Sequence, residues 1–92
     1  MVSAFVLIKA VPARIAALAS ELAEVDGVAE VYSVSGDEDL VVVVRVRKHE
    51  DLADVVTRRI AGHEGILATR TLIAFRSYSR HDLEAMWSLG VQ

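Results

Sequence analysis

The chain has no cysteine, which excludes disulfides, thiolate metal sites and a cysteine nucleophile. It is also poor in aromatics, at 5% against 53% hydrophobic residues, so Val, Ala, Leu and Ile must fill the interior. No apolar run approaches the roughly 20 residues that a membrane span needs. The opening MVSAFVLIKA lacks the basic start and cleavage signature of a secretory peptide. A basic excess is missing too: ten basic residues against thirteen acidic leave a net charge of −3. Arg45, Arg47 and Lys48 cluster, as do Arg58 and Arg59, but acids stand close to each group. They read as solvated surface, and direct nucleic-acid binding is not expected. His49, His63 and His81 are too widely spaced for a metal pattern. The expectation is a cytoplasmic protein without membrane segment, metal or cofactor.

What is present is a single domain, 1–92, with its core over about 3–78. A chain of this size buries roughly 60–65% of its unfolded surface. Its surplus of apolar residues therefore points to association with another chain.

Val2 to Lys9 is nearly all apolar, as suits a strand covered on both faces. Pro12 follows where a first helical residue belongs. Ile15, Leu18, Leu22 and Val25 then recur at spacings of three and four, marking one helical face that Asp26-Gly27 closes. Val28 to Ser35 reads as a second, more polar strand, and Leu40 to Arg47 as a third, very apolar one. Asp51 is the expected cap of a second helix with Leu52, Val55, Val56 and Ile60 inward. Gly62 or Gly65 ends it. Ile66 to Arg76 reads as a fourth strand. Ser79-Arg80-His81-Asp82 has capping-box form and opens a short helix, about 79–90, with Leu83, Met86 and Trp87 on one side.

The order β-α-β-β-α-β plus a helix, with Asp26-Gly27-Val28 and Glu64-Gly65-Ile66 at equivalent junctions, is a ferredoxin-like α+β sandwich. Strands one and three should be central, because they are the most apolar. Strand side chains alternate, so Val41 and Val43 face away from Leu40, Val42, Val44 and Val46. With helices on one face only, the other is expected to pack against a second chain, sheet on sheet or as a shared barrel.

Between the second and third strands lies Gly36-Asp37-Glu38-Asp39. Gly-Asp suits a plain hairpin. The spacing lacks the further ligands of a calcium loop. The turn also offers carboxylates for an ammonium group and backbone N–H groups for a carboxylate.

Gly36-Asp37-Glu38-Asp39-Leu40-Val41-Val42, then a polar break, a helix, Gly65-Ile66 and Thr69-Arg70-Thr71 opening a strand, resembles the effector domain of the Lrp/AsnC regulators. The resemblance runs from about Ser3 to Tyr78. It implies a ferredoxin-like domain that dimerises through its sheets as an α/β barrel, assembles into tetramers or octamers, and binds a small effector, usually an amino acid, between dimers. Carried onto this chain, the effector turn falls on Gly36, Asp37, Glu38 and Asp39. The start of the second helix falls near His49, and the fourth strand contributes Thr69, Thr71, Leu72, Ile73 and Ala74. Asp39 would meet the ligand's ammonium group. Glu38 stands where the family commonly has an aromatic residue. The family's regulators carry a helix-turn-helix before this domain, whereas this sequence begins with strand one. It thus reads as an effector module that either senses or buffers an amino acid or joins DNA-binding relatives in mixed oligomers and alters their DNA binding.

Two other classes share the topology. A dimeric α/β-barrel enzyme would place polar catalytic groups between sheet and helices, where this chain has aliphatics. An ACT-type module would bind at a glycine-bearing turn after strand one, but Ala10-Val11-Pro12-Ala13-Arg14 has no glycine. An assembly protein without ligand is the remaining alternative.

Overall fold

The computed structural model describes residues 1–80. The helix expected over about 79–90 falls almost entirely outside them. Strand β1 (Val2–Ala10) opens the chain. Pro12 begins one 3-10 turn, Pro12–Arg14, where its fixed φ costs nothing and its missing N–H has no partner to lose. The turn feeds α1 (Ile15–Ala23), which buries Leu18 and Leu22 one turn apart. Strands β2 (Val28–Ser33) and β3 (Leu40–Val46) form a hairpin. Helix α2 (His49–Asp54) continues as a π-helical turn, Val55–Ile60, and β4 (Ile66–Ile73) completes the fold.

The strands make one antiparallel sheet in the order β2-β3-β1-β4. This is the ferredoxin-like arrangement, with the two most apolar strands at the centre. The equivalence of the two helix-to-strand junctions is also real. Gly27 and Gly65 share a φ of +96°, a left-handed conformation that favours glycine. A Cβ at Gly27 would lie 2.8 Å from Val55 Cγ2, and one at Gly65 2.9 Å from Arg14 Cβ. The glycine of each half is met by the helical segment of the other.

Three boundaries and one buried face differ from the sequence expectation. β2 stops at Ser33 rather than Ser35, because Val34 N–H donates to Asp39 O (3.0 Å) and the chain is already turning. β4 stops at Ile73 rather than Arg76: Ala74 N–H still reaches Ser3 O (2.9 Å), but β1 offers little backbone beyond. α2 starts at His49, so Asp51 does not cap it. With Glu50, it lies in the first turn, where carboxylates suit the positive end of the helix dipole. Lastly, the i→i+5 geometry of the π turn lets Val55 and Ile60 both face the sheet and be buried. Val56, expected inward, is only half-buried.

One face of the sheet is closed. Ala4, Val6, Ile8, Leu40, Val42 and Val44 have no exposure beneath Leu18, Leu22, Leu52, Val55 and Ile60. The opposite face carries Phe5, Leu7, Tyr32, Val41, Val43 and Leu72, with no helix over it. Phe5 is 40% exposed and Tyr32 and Leu72 50% each. Helix α1 lies over β2 and β3, and α2 over β3 and β1, so β4 projects past the helical layer. Among the described residues, no helix is long and apolar enough to cross a membrane.

Candidate ligand site

The turn before β3 is held in place from several directions. Gly36 has φ +126° and open space around its Cα, so it provides conformation rather than packing. Asp39 N–H donates to Ile8 O at 2.9 Å. Its carboxylate Oδ2 accepts from Ala10 N–H, also at 2.9 Å. That last bond has a local cause: the register of β1 against β4 shifts between Lys9 and Ala10, and the half-buried Asp39 takes up the displaced N–H. Lys9 Nζ donates to Asp37 O (2.7 Å), and Arg70 Nη2 reaches Glu38 Oε1 (3.2 Å) from β4. The position expected to be aromatic is thus one half of an ion pair.

A cavity of about 350 Å³ opens between the second helix and β4. The helical side supplies His49, Leu52, Ala53, Val56 and Thr57, and the strand supplies Thr71 and Ile73. It exists because β4 lies beyond the helical layer. Thr71 pairs with Val6 and Ile73 with Ala4, so both point to the helix face, where no helix of the described residues sits directly above them. Ile73 remains 48% exposed. The lining is mostly aliphatic, and among the described residues His49 is its single titratable one.

Of the residues expected at the site, His49, Thr71 and Ile73 meet at this cavity. Thr69 shares their face of β4 but does not line it. Leu72 pairs with Phe5 and points to the open face. Ala74 lines a smaller cleft with Met1, Ser3 and Phe75. Gly36, Asp37, Glu38 and Asp39 stand elsewhere. They precede Leu40, while His49 follows Val46, so the seven residues of β3 separate them. At roughly 3.3 Å per residue, Asp39 and His49 stand about 20 Å apart along it. Thr71 and Ile73 are nearer in register, opposite Val6 and Ala4 of the strand whose Ile8 O meets Asp39 N–H, but they lie two strands away on β4.

Leu52, Ala53, Val56 and Thr57 were not assigned to a site from sequence. A signal was there, since 49, 52, 53, 56 and 57 follow the i, i+3, i+4, i+7, i+8 pattern of one helical face. Such a stripe ordinarily denotes core. The supports from Lys9 and Arg70 carried no local signal, because each depends on strands distant in sequence.

Other charged groups pair locally. Arg45 bonds Glu30 at 3.2 Å, and Arg58 and Arg59 both approach Asp54. The Tyr32 hydroxyl donates to Glu30, which with Arg45 holds that carboxyl below its ordinary range and pushes the Tyr32 phenol up. No group of three or more potential metal ligands gathers among the described residues.

The chain matches the Lrp/AsnC ligand binding domain over residues 3–83. It belongs to that family. The regulator FL11 of Pyrococcus furiosus, described as an HTH-type transcriptional regulator, is 33% identical over 79% of this chain and 48% of its own length. The chain thus spans about half the length of the FL11 regulators it matches. TTHA0845 from Thermus thermophilus is 51% identical, with a TM-score of 0.82 covering 87% of this chain and all of that one. A feast or famine regulatory protein of M. tuberculosis, solved with L-methionine, is 32% identical, with a TM-score of 0.72 over 87% of this chain and 54% of its own. All three share substantial sequence with the chain, and the two solved structures share its fold.

Proposed function

We propose that this chain is a cytoplasmic, oligomeric effector-binding module. It binds an amino acid at sites completed between copies, and through mixed oligomers it adjusts the activity of DNA-binding Lrp/AsnC relatives. The observation that carries this reading is the separation of the two half-sites. The charged turn has groups for an amino acid's head, and the α2–β4 cavity has room for a small molecule, yet within a chain the turn stands two strands from β4 and about 20 Å along β3 from His49. A second copy can bring one turn beside another's cavity. The open face, with Phe5, Val43, Tyr32 and Leu72, supplies apolar surface on which copies can pack. The L-methionine bound to the M. tuberculosis relative supports an amino acid as effector class. A cavity without paired titratable groups favours binding over catalysis, in contrast to a dimeric α/β-barrel enzyme.

The test is thermal unfolding of the protein against each of the twenty amino acids, with light scattering on the same samples. A ligand selective for the folded state stabilises it by about 2.7 kcal/mol at a hundredfold excess over Kd. The expected result is a selective shift, with a mass above that of the single chain, reduced in Asp39→Ala. No shift with any amino acid, or binding by a strictly monomeric species, would overturn the reading.

A further inference from the structure

We propose that the α2–β4 cavity reads the effector's side chain and accepts an uncharged aliphatic one, with Ala53, Val56 and Ile73 as the specificity-determining residues. The inference rests on the amino-acid reading above and narrows it to a ligand class.

Leu52 forms the buried floor, and Ala53, Val56 and Ile73 form the walls. The polar atoms available are few. Thr57 Oγ1 already donates to Ala53 O at 2.6 Å within the helix and can only accept, which leaves Thr71 and His49 as donors. Among the described residues, no carboxylate, guanidinium or ammonium belongs to the lining. The nearest helical arginines, Arg58 and Arg59, are both engaged with Asp54. A charged ligand side chain placed here would lose its water and find no counter-charge, whereas an aliphatic chain would exchange water for methyl groups.

Shape agrees with chemistry. About 350 Å³ lies at the lower end of the roughly 300–1,000 Å³ of small-molecule pockets, which suits one metabolite rather than a peptide. The π turn contributes to this shape. Because Val55 and Ile60 both turn into the core, Val56 and Thr57 are left to face β4. The charged turn, by contrast, presents acids and backbone N–H groups but no apolar wall. The two half-sites therefore divide the ligand: the turn takes the head, and the cavity takes the chain.

Isothermal titration of the 92-residue protein with L-methionine, L-leucine, L-asparagine, L-glutamate and L-lysine tests the inference. Methionine or leucine should bind about tenfold or more tighter than the other three. Ala53→Leu, at an exposed helical position, should fill the cavity and abolish that preference while circular dichroism stays unchanged. Val56→Asp should weaken the aliphatic ligands and not lysine. Should the half-buried Val56→Asp fail to fold, Ala53→Leu decides alone. Asparagine, glutamate or lysine binding as tightly as methionine and leucine, or a preference unaltered by Ala53→Leu, would overturn this inference and leave the amino-acid reading standing. Binding of no amino acid at all would overturn both.

Discussion

Neighbouring residues of β1 share a backbone but not an environment. Ala4, Val6 and Ile8 have no exposure, while Phe5, between two of them, is 40% exposed. The same division runs through β3, where Val42 and Val44 are sealed beneath the helices and Val41 is half-buried on the open side. Both faces are apolar at their centre, around Val6 and Val42 on one side and Phe5 and Val43 on the other, so composition does not distinguish them there. What distinguishes them is cover: two helices close one face, and nothing within the described residues closes the other. An exposed apolar surface in a chain of net charge −3 is what the proposed association of copies would cover.

The largest effects should come from the closed face. Ile60→Ala or Leu22→Ala removes a fully buried side chain, which costs about 2–5 kcal/mol. Against a total stability of roughly 5–15 kcal/mol, that is a large fraction. Urea titration should show the midpoint falling sharply for either variant. If Phe5→Ala lowered it as much at low protein concentration, the two faces would not differ in the way argued here.

The open face should answer to a different measurement. Phe5→Asp places a charge at the centre of the exposed patch, beside Val43 and Leu72. It should weaken self-association by more than about 2 kcal/mol, the level of a central hot-spot residue. Light scattering or sedimentation should show the mass falling toward that of the single chain, with the helical signal retained. An unchanged mass would mean that this face is not the contact.

How much of this was legible beforehand depends on how far each feature reaches. The order of elements and the central place of β1 and β3 follow from local hydropathy, because central strands with apolar residues on both faces read as continuously apolar. Strand ends are not local: β4 stops near Ile73 where β1 runs out, which Ala74 to Arg76 do not reveal. The π turn leaves no mark on Val-Val-Thr-Arg-Arg-Ile, since it is a packing outcome that buries Val55 and Ile60 together. Asp39 reads from sequence as a ligand group. Its bond to Ala10 N–H depends on a bulge that no stretch of sequence announces. The candidate site was legible as residue types at family positions. Their separation was not, because a motif names positions without stating how many chains bring them together.

A smaller effect concerns the glycines that hold the helical cover onto the sheet. Gly27→Ala combines a left-handed φ of +96° with a Cβ 2.8 Å from Val55 Cγ2. Gly36→Ala has only the backbone term, since nothing lies within 4 Å of the new methyl. Backbone strain of this kind costs about 1–3 kcal/mol. The loss for Gly27→Ala should reach the upper part of that range and that for Gly36→Ala the lower. Equal losses in thermal unfolding would show that the Val55 contact yields without cost, and that the cover is looser than the geometry implies.

The smallest effect is the most informative about the open face in solution. Glu30 and Tyr32 lie on that face with Arg45, and all three are exposed in the single chain. The Tyr32 hydroxyl, then Arg45, depresses the Glu30 carboxyl, so this contribution to stability is present above the ordinary carboxylate range and is lost as pH falls through the lowered value. Tyr32 is raised by Glu30, so its contribution is present below the ordinary phenol range and is lost as pH rises through the raised value. Between those limits the pair is intact, and because it faces solvent its effect on stability is slight. Ultraviolet titration of the tyrosinate band reads it directly. Tyr32 should ionise later than an ordinary phenol, and Glu30→Gln should return it toward that range. If a second copy covers this face, desolvation should delay the ionisation further, and Phe5→Asp should remove that additional delay while leaving the part due to Glu30. A Tyr32 titration indifferent to Phe5→Asp would place the Glu30–Tyr32 edge of the face outside the contact, and would confine the partner to the area around Phe5, Val43 and Leu72.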